Sequence, residues 1–407
     1  MSKNSPVTAY QGAVVLTILK QHFNESTVLM QINPKEHQRI QNLKLIDSLD
    51  KPTQLDGLLS WATSKAFDFA LGVIKPDFKH TLPKKPIFNP YVDSKLYGCV
   101  HYGIMIPDLP APHHFLACAS MLGSTGMRVF DIDFAAQAAG PRQMATISHG
   151  TAMTSSNGFH HYALNKEMQT KKDGSLLKFG DDVTISGVYP NYRVQSQSDE
   201  LTVDLKLTAT GQITWFAKSV LYNHLSLLTR YEGSIVSQGV EQQVSGLCTY
   251  EYARGASPFN FVNKIIPFSK KLPWDFFSYQ VIDLDADTQL CLAHCGILRY
   301  PILTAAYIRT TQGVSRGIQG SVRFQVLSLE DEPVVDADGI HMLRPKTFRW
   351  TIEDNDQEYS LLIDATVDTP WLYGLGRGYV GGYQWQGLKN GQPITGRGYV
   401  EYVDVRR

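Results

Sequence analysis

Two textures of hydrophobic and polar residues divide the chain near residue 90. Before it, Ile40, Leu43, Ile46 and Leu49 recur every three residues. Leu55, Leu58, Leu59, Ala62, Ala66, Phe69, Ala70 and Val73 follow at helical spacing. Asn33-Pro34-Lys35-Glu36 supplies a helix start: an Asn cap, a proline in the first turn and a glutamate three residues after the cap. Thr53 with Asp56 offers a second start. The pattern predicts two long helices within 33–75, an N-terminal helical extension. Pro83, Lys84, Lys85, Pro86 and Pro90 then read as a stiff polar linker.

Beyond the linker the period changes to two. Leu201, Val203, Leu205, Leu207 and Ala209 alternate with Thr202, Asp204, Lys206 and Thr208, the signature of a strand with one wet face. Thr210-Gly211 is expected to turn this strand into a second one through Ile213, Trp215 and Ala217, making a hairpin. Asp173-Gly174, Glu232-Gly233, Asp338-Gly339 and Asn390-Gly391 give further turn signals between runs rich in Val, Ile, Tyr, Phe and Trp. Gly-Arg-Gly-Tyr-Val occurs at 376–380 and again at 396–400, and is expected to mark equivalent bends in neighbouring strands. Many short strands with regular turns predict a sandwich or an antiparallel barrel, with almost no long helix after residue 95.

Composition narrows the function classes. At 407 residues the chain suits two domains. Lys plus Arg and Asp plus Glu both number 38, so the basic excess of a nucleic-acid binder is missing. Five widely spread cysteines, Cys99, Cys118, Cys248, Cys291 and Cys295, argue against a disulfide framework and for buried thiols in a reducing compartment. The apolar run Gly12–Leu19 meets no small-residue cleavage site, and no stretch is apolar long enough to span a bilayer as a helix. A cytoplasmic location is expected. Residues 1–90 carry eleven Lys/Arg against seven Asp/Glu, which leaves a peripheral membrane contact through the N-terminal helices open.

Three motif matches fail on their context. Gly376-Arg377-Gly378-Tyr379-Val380-Gly381 fits the dinucleotide fingerprint, but the chain continues as a strand where a helix must begin. Asp283, Asp285 and Asp287 open like a calcium loop, yet Thr288 stands where Gly is needed and His294 where Glu is needed, so a turn between strands is expected. Cys291, His294 and Cys295 have no second pair at zinc spacing. No metal and no cofactor are expected. Ser148-His149-Gly150, His160-His161 and His113-His114 lack the spacing of a nucleophile elbow or a helical metal pair.

The second half carries a resemblance. Val244-Ser245-Gly246-Leu247-Cys248-Thr249-Tyr250-Glu251-Tyr252 precedes Phe276-Phe277-Ser278-Tyr279-Gln280-Val281-Ile282-Asp283. The chain closes with Tyr383-Gln384-Trp385-Gln386-Gly387 and Gly396-Arg397-Gly398-Tyr399-Val400-Glu401-Tyr402. This order resembles the AttH-like and carotenoid 1,2-hydratase (hydroxyneurosporene synthase) group of lipocalin-related proteins, and more distantly the fungal lipocalin-like Diels–Alderases. The resemblance covers about 95–407. It implies a mostly β chain: two consecutive lipocalin-like (calycin-type) antiparallel β-barrels behind the helical extension. The expected boundaries are 1–92 for extension and linker, 93–254 for the first barrel and 255–407 for the second.

The departures bear on chemistry. The family's acidic motif usually reads Trp-x-Asp-x-Glu, and this chain has Thr249, Glu251 and Ala253 there; Gln386 replaces a Glu. Hydrating an alkene needs a positioned acid, so these changes weigh on hydration more than on ligand binding or on catalysis by pocket shape. The expected catalytic residues are Glu251, His149 and His224. Tyr250, Tyr252, Trp215, Trp274, Tyr279 and Trp385 are the expected ligand-binding residues. The expected function is binding, and non-redox hydration, isomerisation or cyclisation, of a small apolar ligand such as an isoprenoid, polyene or acyl chain. The alternative is a structural or partner-binding module whose barrels are filled by side chains.

Overall fold

A computed structural model describes residue 72, residues 79–83 and residues 88–406 without 155, 156, 314 and 357. The helices expected within 33–75 lie, residue 72 aside, outside the described residues, as do Lys84, Lys85 and Pro86 of the linker.

Antiparallel strands account for most of the rest. The first sheet contains β1 (Tyr97–Leu109), β2 (His114–Leu122), β3 (Met144–Thr151), β4 (Phe159–Ala163), β5 (Met168–Thr170) and β6 (Leu176–Phe179). It continues with β7 (Val183–Val188), β8 (Asn191–Gln197), β9 (Leu201–Lys218), β10 (Tyr222–Ser237) and β11 (Val240–Ala256). After it come β12 (Trp274–Asp283), β13 (Thr288–Ile297), β14 (Tyr300–Thr310), β15 (Ser315–Gly317), β16 (Gly320–Leu329), β17 (Val334–Val335) and β18 (His341–Met342). The last are β19 (Pro345–Asp354), β20 (Ser360–Val367), β21 (Leu372–Leu375), β22 (Gly378–Lys389) and β23 (Gln392–Asp404). The one α-helix among the described residues, α1 (Asp133–Ala139), spans seven residues, so the expectation of no long helix after 95 holds there.

Both sheets follow one plan. In the first, every ladder joins strands consecutive in the chain, save that β1 pairs with β11, and β4 and β5 are left as the edges. A meander whose first strand pairs with its last must curl, and its seam falls between two successive strands. In the second sheet β12 pairs with β23 and the edges are β15 and β16, with β21 docked on β22 and β17–β18 a separate hairpin.

Curling gives each sheet its own core. Ile104, Leu205, Ile235, Tyr250 and Tyr252 are among the residues filling the first; Trp350, Ile363, Tyr383, Trp385 and Tyr402 are among those filling the second. A third apolar cluster holds residues of both sheets, including Met105, Phe115, Phe216, Tyr279, Cys291, Tyr307, Val380 and Tyr399. Strands at that contact are covered on both faces. β2 accordingly reads His-Phe-Leu-Ala-Cys-Ala-Ser-Met-Leu with little alternation, whereas the first half of β9 alternates buried and wetter positions.

Three turn expectations are corrected. Thr210-Gly211 does not turn the chain: β9 runs through it, and β10 pairs with both halves. Leu227 faces Ile213 and Thr229 faces Ala209, so the extra residues form a bulge, where Gly211 takes φ +89° and Thr210 Oγ1 donates to the Leu228 carbonyl at 2.9 Å. Glu232-Gly233 lies inside β10, opposite Lys206 and Leu205. The repeated pentapeptides lie in adjacent strands without being equivalent bends. Gly376, at φ +51°, precedes β22, where a Cβ would meet the Phe130 and Val129 backbone. Gly396 and Gly398 are instead ladder positions within β23, packed under the Trp385 and Tyr383 rings. Asp173-Gly174, Asp338-Gly339 and Asn390-Gly391 do turn, the last with Lys389 opposite Gln392.

Candidate acid–base site between the two sheets

Period two sends alternate residues of β11 to opposite faces. Tyr250 and Tyr252 enter the core of the first sheet, so Glu251 projects from the outer face, toward the second sheet. There it is covered, at 1% exposure. Its strand neighbours explain the space it has: Gly103 lies opposite on β1 and Ser226 on β10. Tyr279, from β12 of the second sheet, donates its hydroxyl to Glu251 Oε1 at 2.5 Å. His224 Nε2 lies 3.3 Å from Oε2.

Two residues along, Ala253 stands opposite His101 on β1 and opposite His224 on β10. Where the resembled motif carries a second carboxylate, this chain has a methyl group flanked by two imidazoles. Their rings meet edge to face at 6.1 Å. His101 Nδ1 lies 2.9 Å from the Ser120 carbonyl, an acceptor, which makes Nδ1 the donor.

A second buried carboxylate lies on the other sheet. Glu401 is on β23 at 2% exposure, with Tyr279 opposite it on β12 and Val380 on β22. Tyr399 donates its hydroxyl to Glu401 Oε1 at 3.0 Å. Glu251 and Glu401 occupy corresponding places, each on the last strand of its sheet. Residues 246–252 and 396–402 share Gly, Glu and Tyr at their first, sixth and seventh positions. That correspondence is a readable signal for Glu401, which is not among the nine expected site residues. Gln386, at the other departure from the family pattern, is exposed on β22.

Electrostatics sets the two acids apart. Burial pushes Glu401 well above the usual carboxylate range, and the nearby Glu251 adds to this. Burial opposes ionisation of Glu251 as well, but hydrogen bonding and charge from His224, with the Tyr279 hydroxyl, outweigh it and bring Glu251 below its ordinary value. The two environments favour opposite forms, protonated for Glu401 and ionised for Glu251. His101 is pushed down to about 4, first by burial and then by His224, and is neutral at pH 7. Burial raises the hydroxyls of Tyr279 and Tyr399 far above neutrality.

Among the nine expected residues, the structure joins Glu251, His224 and Tyr279. His149, on β3, bonds Ser196 Oγ at 2.6 Å and contacts none of these three. Tyr250 stacks on Tyr192 at 4.3 Å and Tyr252 on Phe88 at 5.1 Å, inside the first core. Trp215 donates to the Thr81 carbonyl at 3.1 Å. Trp274 and Trp385 pack in the second core. A separate cleft of about 320 Å³ opens beside β14 and β16 at the second seam, lined by Phe276, His294, Tyr300, Phe324 and Tyr402 among others. All five cysteines are free and buried. No helix among the described residues is long and apolar enough to cross a membrane.

Solved structures locate the fold. A protein assigned as AttH from Nitrosomonas europaea superposes with a TM-score of 0.52 at 14% identity, over 82% of this chain and 100% of its own. Kievitone hydratase from Nectria haematococca gives 0.48 at 14% identity, over 82% and 98%. CghA with Sch210972 gives 0.39 at 8% identity, over 83% and 97%. No curated protein matches the chain in sequence. The chain shares the fold of that AttH structure. Residues 119–407 match the model of a family of unknown function, DUF6670, and the chain belongs to that family.

Proposed function

We infer that the protein binds a small apolar ligand and converts it without redox chemistry, by proton transfer at Glu251 and Glu401. In this reading the chain is two consecutive lipocalin-like barrels, divided near residue 254, whose contact region forms the site. The observation that carries it is the placement of two buried carboxyls, each hydrogen-bonded by a tyrosine, in the apolar contact between the sheets. Hydration states the chemistry. The π pair of an alkene takes the proton of the Glu401 carboxyl. Water adds to the resulting cation and gives its own proton to Glu251. Isomerisation uses the same two transfers, with Glu251 removing a carbon-bound proton instead. Tyr279 and Tyr399 position the carboxyls, and the apolar wall of Phe216, Phe115 and Met105 keeps competing water out.

The test begins with the protein's own cargo. Native mass spectrometry and solvent extraction of the purified chain are expected to release a small apolar molecule. Returned to fresh protein in D2O, that molecule should acquire deuterium at carbon. Glu251→Gln and Glu401→Gln should retain the ligand and lose the exchange. Equal exchange in both variants overturns the assignment, and an empty wild-type protein that takes up no polyene or isoprenoid probe overturns the ligand class.

A further inference from the structure

His101, His224 and Glu251 form a set with its own geometry. They come from three adjacent strands, β1, β10 and β11, and their nearest ligating atoms all lie within 4.8 Å of one another. We propose that these three side chains bind a divalent transition-metal ion, zinc by the chemistry of the donors, with a fourth coordination position left open. Two imidazoles and one carboxylate make up a catalytic zinc set, whereas structural sites fill all four positions.

The surroundings supply what such ligands need. A metal-bound histidine normally gives its other ring N–H to a carbonyl or a comparable acceptor, which fixes ring and tautomer. His101 Nδ1 does this with the Ser120 carbonyl, so the lone pair is on Nε2, the side facing the set. His224 Nδ1 lies 3.2 Å from the Tyr222 hydroxyl, leaving Nε2 toward Glu251. The Tyr279 hydroxyl bonds Glu251 Oε1 and thereby orients Oε2 toward His224. Gly103 keeps the approach open: a Cβ there would lie 2.9 Å from His101 Nε2 and 2.6 Å from Met105 Cε. Zinc held at about 2.1 Å from each donor would draw the three atoms to roughly 3.4 Å of one another. The His224 side chain keeps 17% of its surface in solvent, which gives an ion a way in.

This inference shares Glu251 with the proton-transfer reading and rests on the same site, but metal content and turnover are measured separately, so either can fail alone. Full-length protein stripped with a chelator is titrated with zinc chloride and assayed by elemental analysis, and cobalt(II) serves as the coloured probe. One zinc per chain is expected, with a raised melting temperature. Tetrahedral cobalt absorption should appear without a thiolate charge-transfer band. His101→Gln, His224→Gln and Glu251→Gln, each first shown to melt cooperatively without metal, should bind zinc at least ~100-fold more weakly. Tyr222→Phe should cost about 10-fold, as loss of a ligand's supporting hydrogen bond typically does. Three results overturn the proposal: substoichiometric zinc in the wild type, a thiolate band that moves the ion to a cysteine, or unchanged affinity in all three ligand variants. If a variant does not fold, the wild-type stoichiometry and cobalt spectrum still decide.

Discussion

Arg377 and Glu401 are equally hidden, at 1% and 2% exposure, and they are treated in opposite ways. Around Arg377 four carboxylates share two cations. Its Nη1 lies 2.6 Å from Asp336 and 3.1 Å from Asp338, while Nη2 and Nε donate to the carbonyls of Asp131 and Arg128. Lys271 lies 3.1 Å from Asp131 and 2.5 Å from Asp133. Asp338 also caps α1, accepting from the Asp133 and Phe134 amides at 2.8 Å each. The cluster ties segments near residues 131, 271, 336 and 377 together. Around Glu251 and Glu401, no Lys or Arg bonds either carboxyl among the described residues; two tyrosines and one histidine serve instead. Buried charge that is paired with opposite charge locks a fold in place. A buried acid that is hydrogen-bonded without a cation, as Glu401 is, is held in its protonated form, which a proton donor needs.

The sharpest way to break this comparison is Arg377→Ala. It strands Asp336, whose side chain is 3% exposed, beside Asp338 with no guanidinium. Removing one partner of a buried ion pair typically costs about 3–5 kcal/mol. A loss of that size is expected in denaturant unfolding, with ligand and metal binding unchanged in the protein that remains folded. A loss under ~1 kcal/mol would mean that the cluster does not lock the fold.

Asp275 stands between the two cases and offers a pH test. Its Oδ2 accepts the Arg299 amide at 2.9 Å, while Oδ1 has no hydrogen-bond partner among the described residues. Burial is the largest influence and pushes it up to about 6, against the attraction of Arg406 and Arg128. A carboxyl raised on folding is ionised in the unfolded chain at a lower pH than in the folded one. Its contribution is therefore fully present below about pH 4 and lost as pH rises to 6. Asp275→Asn keeps an acceptor for Arg299 and removes the titration. The variant should gain on the wild type by roughly 2–3 kcal/mol between pH 4 and pH 7.5, read from paired denaturant melts. A constant difference across that range would show that Asp275 does not change its proton affinity on folding.

The same contrast separates what the sequence disclosed from what it hid. β9 announced itself because one face is wet, and the β22–β23 turn because Asn390 and Gly391 both take positive φ, +51° and +78°. The Gly211 bulge was misread as a turn because a lone glycine with φ above zero signals either feature, and only the partner strand decides. Glu251 was legible as the lone acid between two tyrosines in a strand. Its partners were not. His101 entered no motif, and Glu401 stood only within the closing segment, because its surroundings are set by the contact between two sheets far apart in sequence. Trp274 and Trp385 are expected ligand-binding residues, and in the structure each sits in the second core with its indole N–H donated to a backbone carbonyl.

The smallest expected effect on stability is the most discriminating. Glu401→Gln preserves shape and an acceptor for the Tyr399 hydroxyl, and removes only the acidic proton. A carboxyl with no cation partner gains nothing from being charged, and holding it neutral in a buried site is work that an amide avoids. The variant should therefore melt at or slightly above the wild-type temperature at pH 7.5, while solvent-deuterium exchange into the ligand disappears. Arg377→Ala should show the reverse pairing: stability falls and the chemistry per folded molecule survives. If Glu401→Gln instead destabilises the protein by several kcal/mol, Glu401 is an ionised partner in a structural pair. The two buried clusters would then be of one kind, and the acid–base assignment would fall with the distinction.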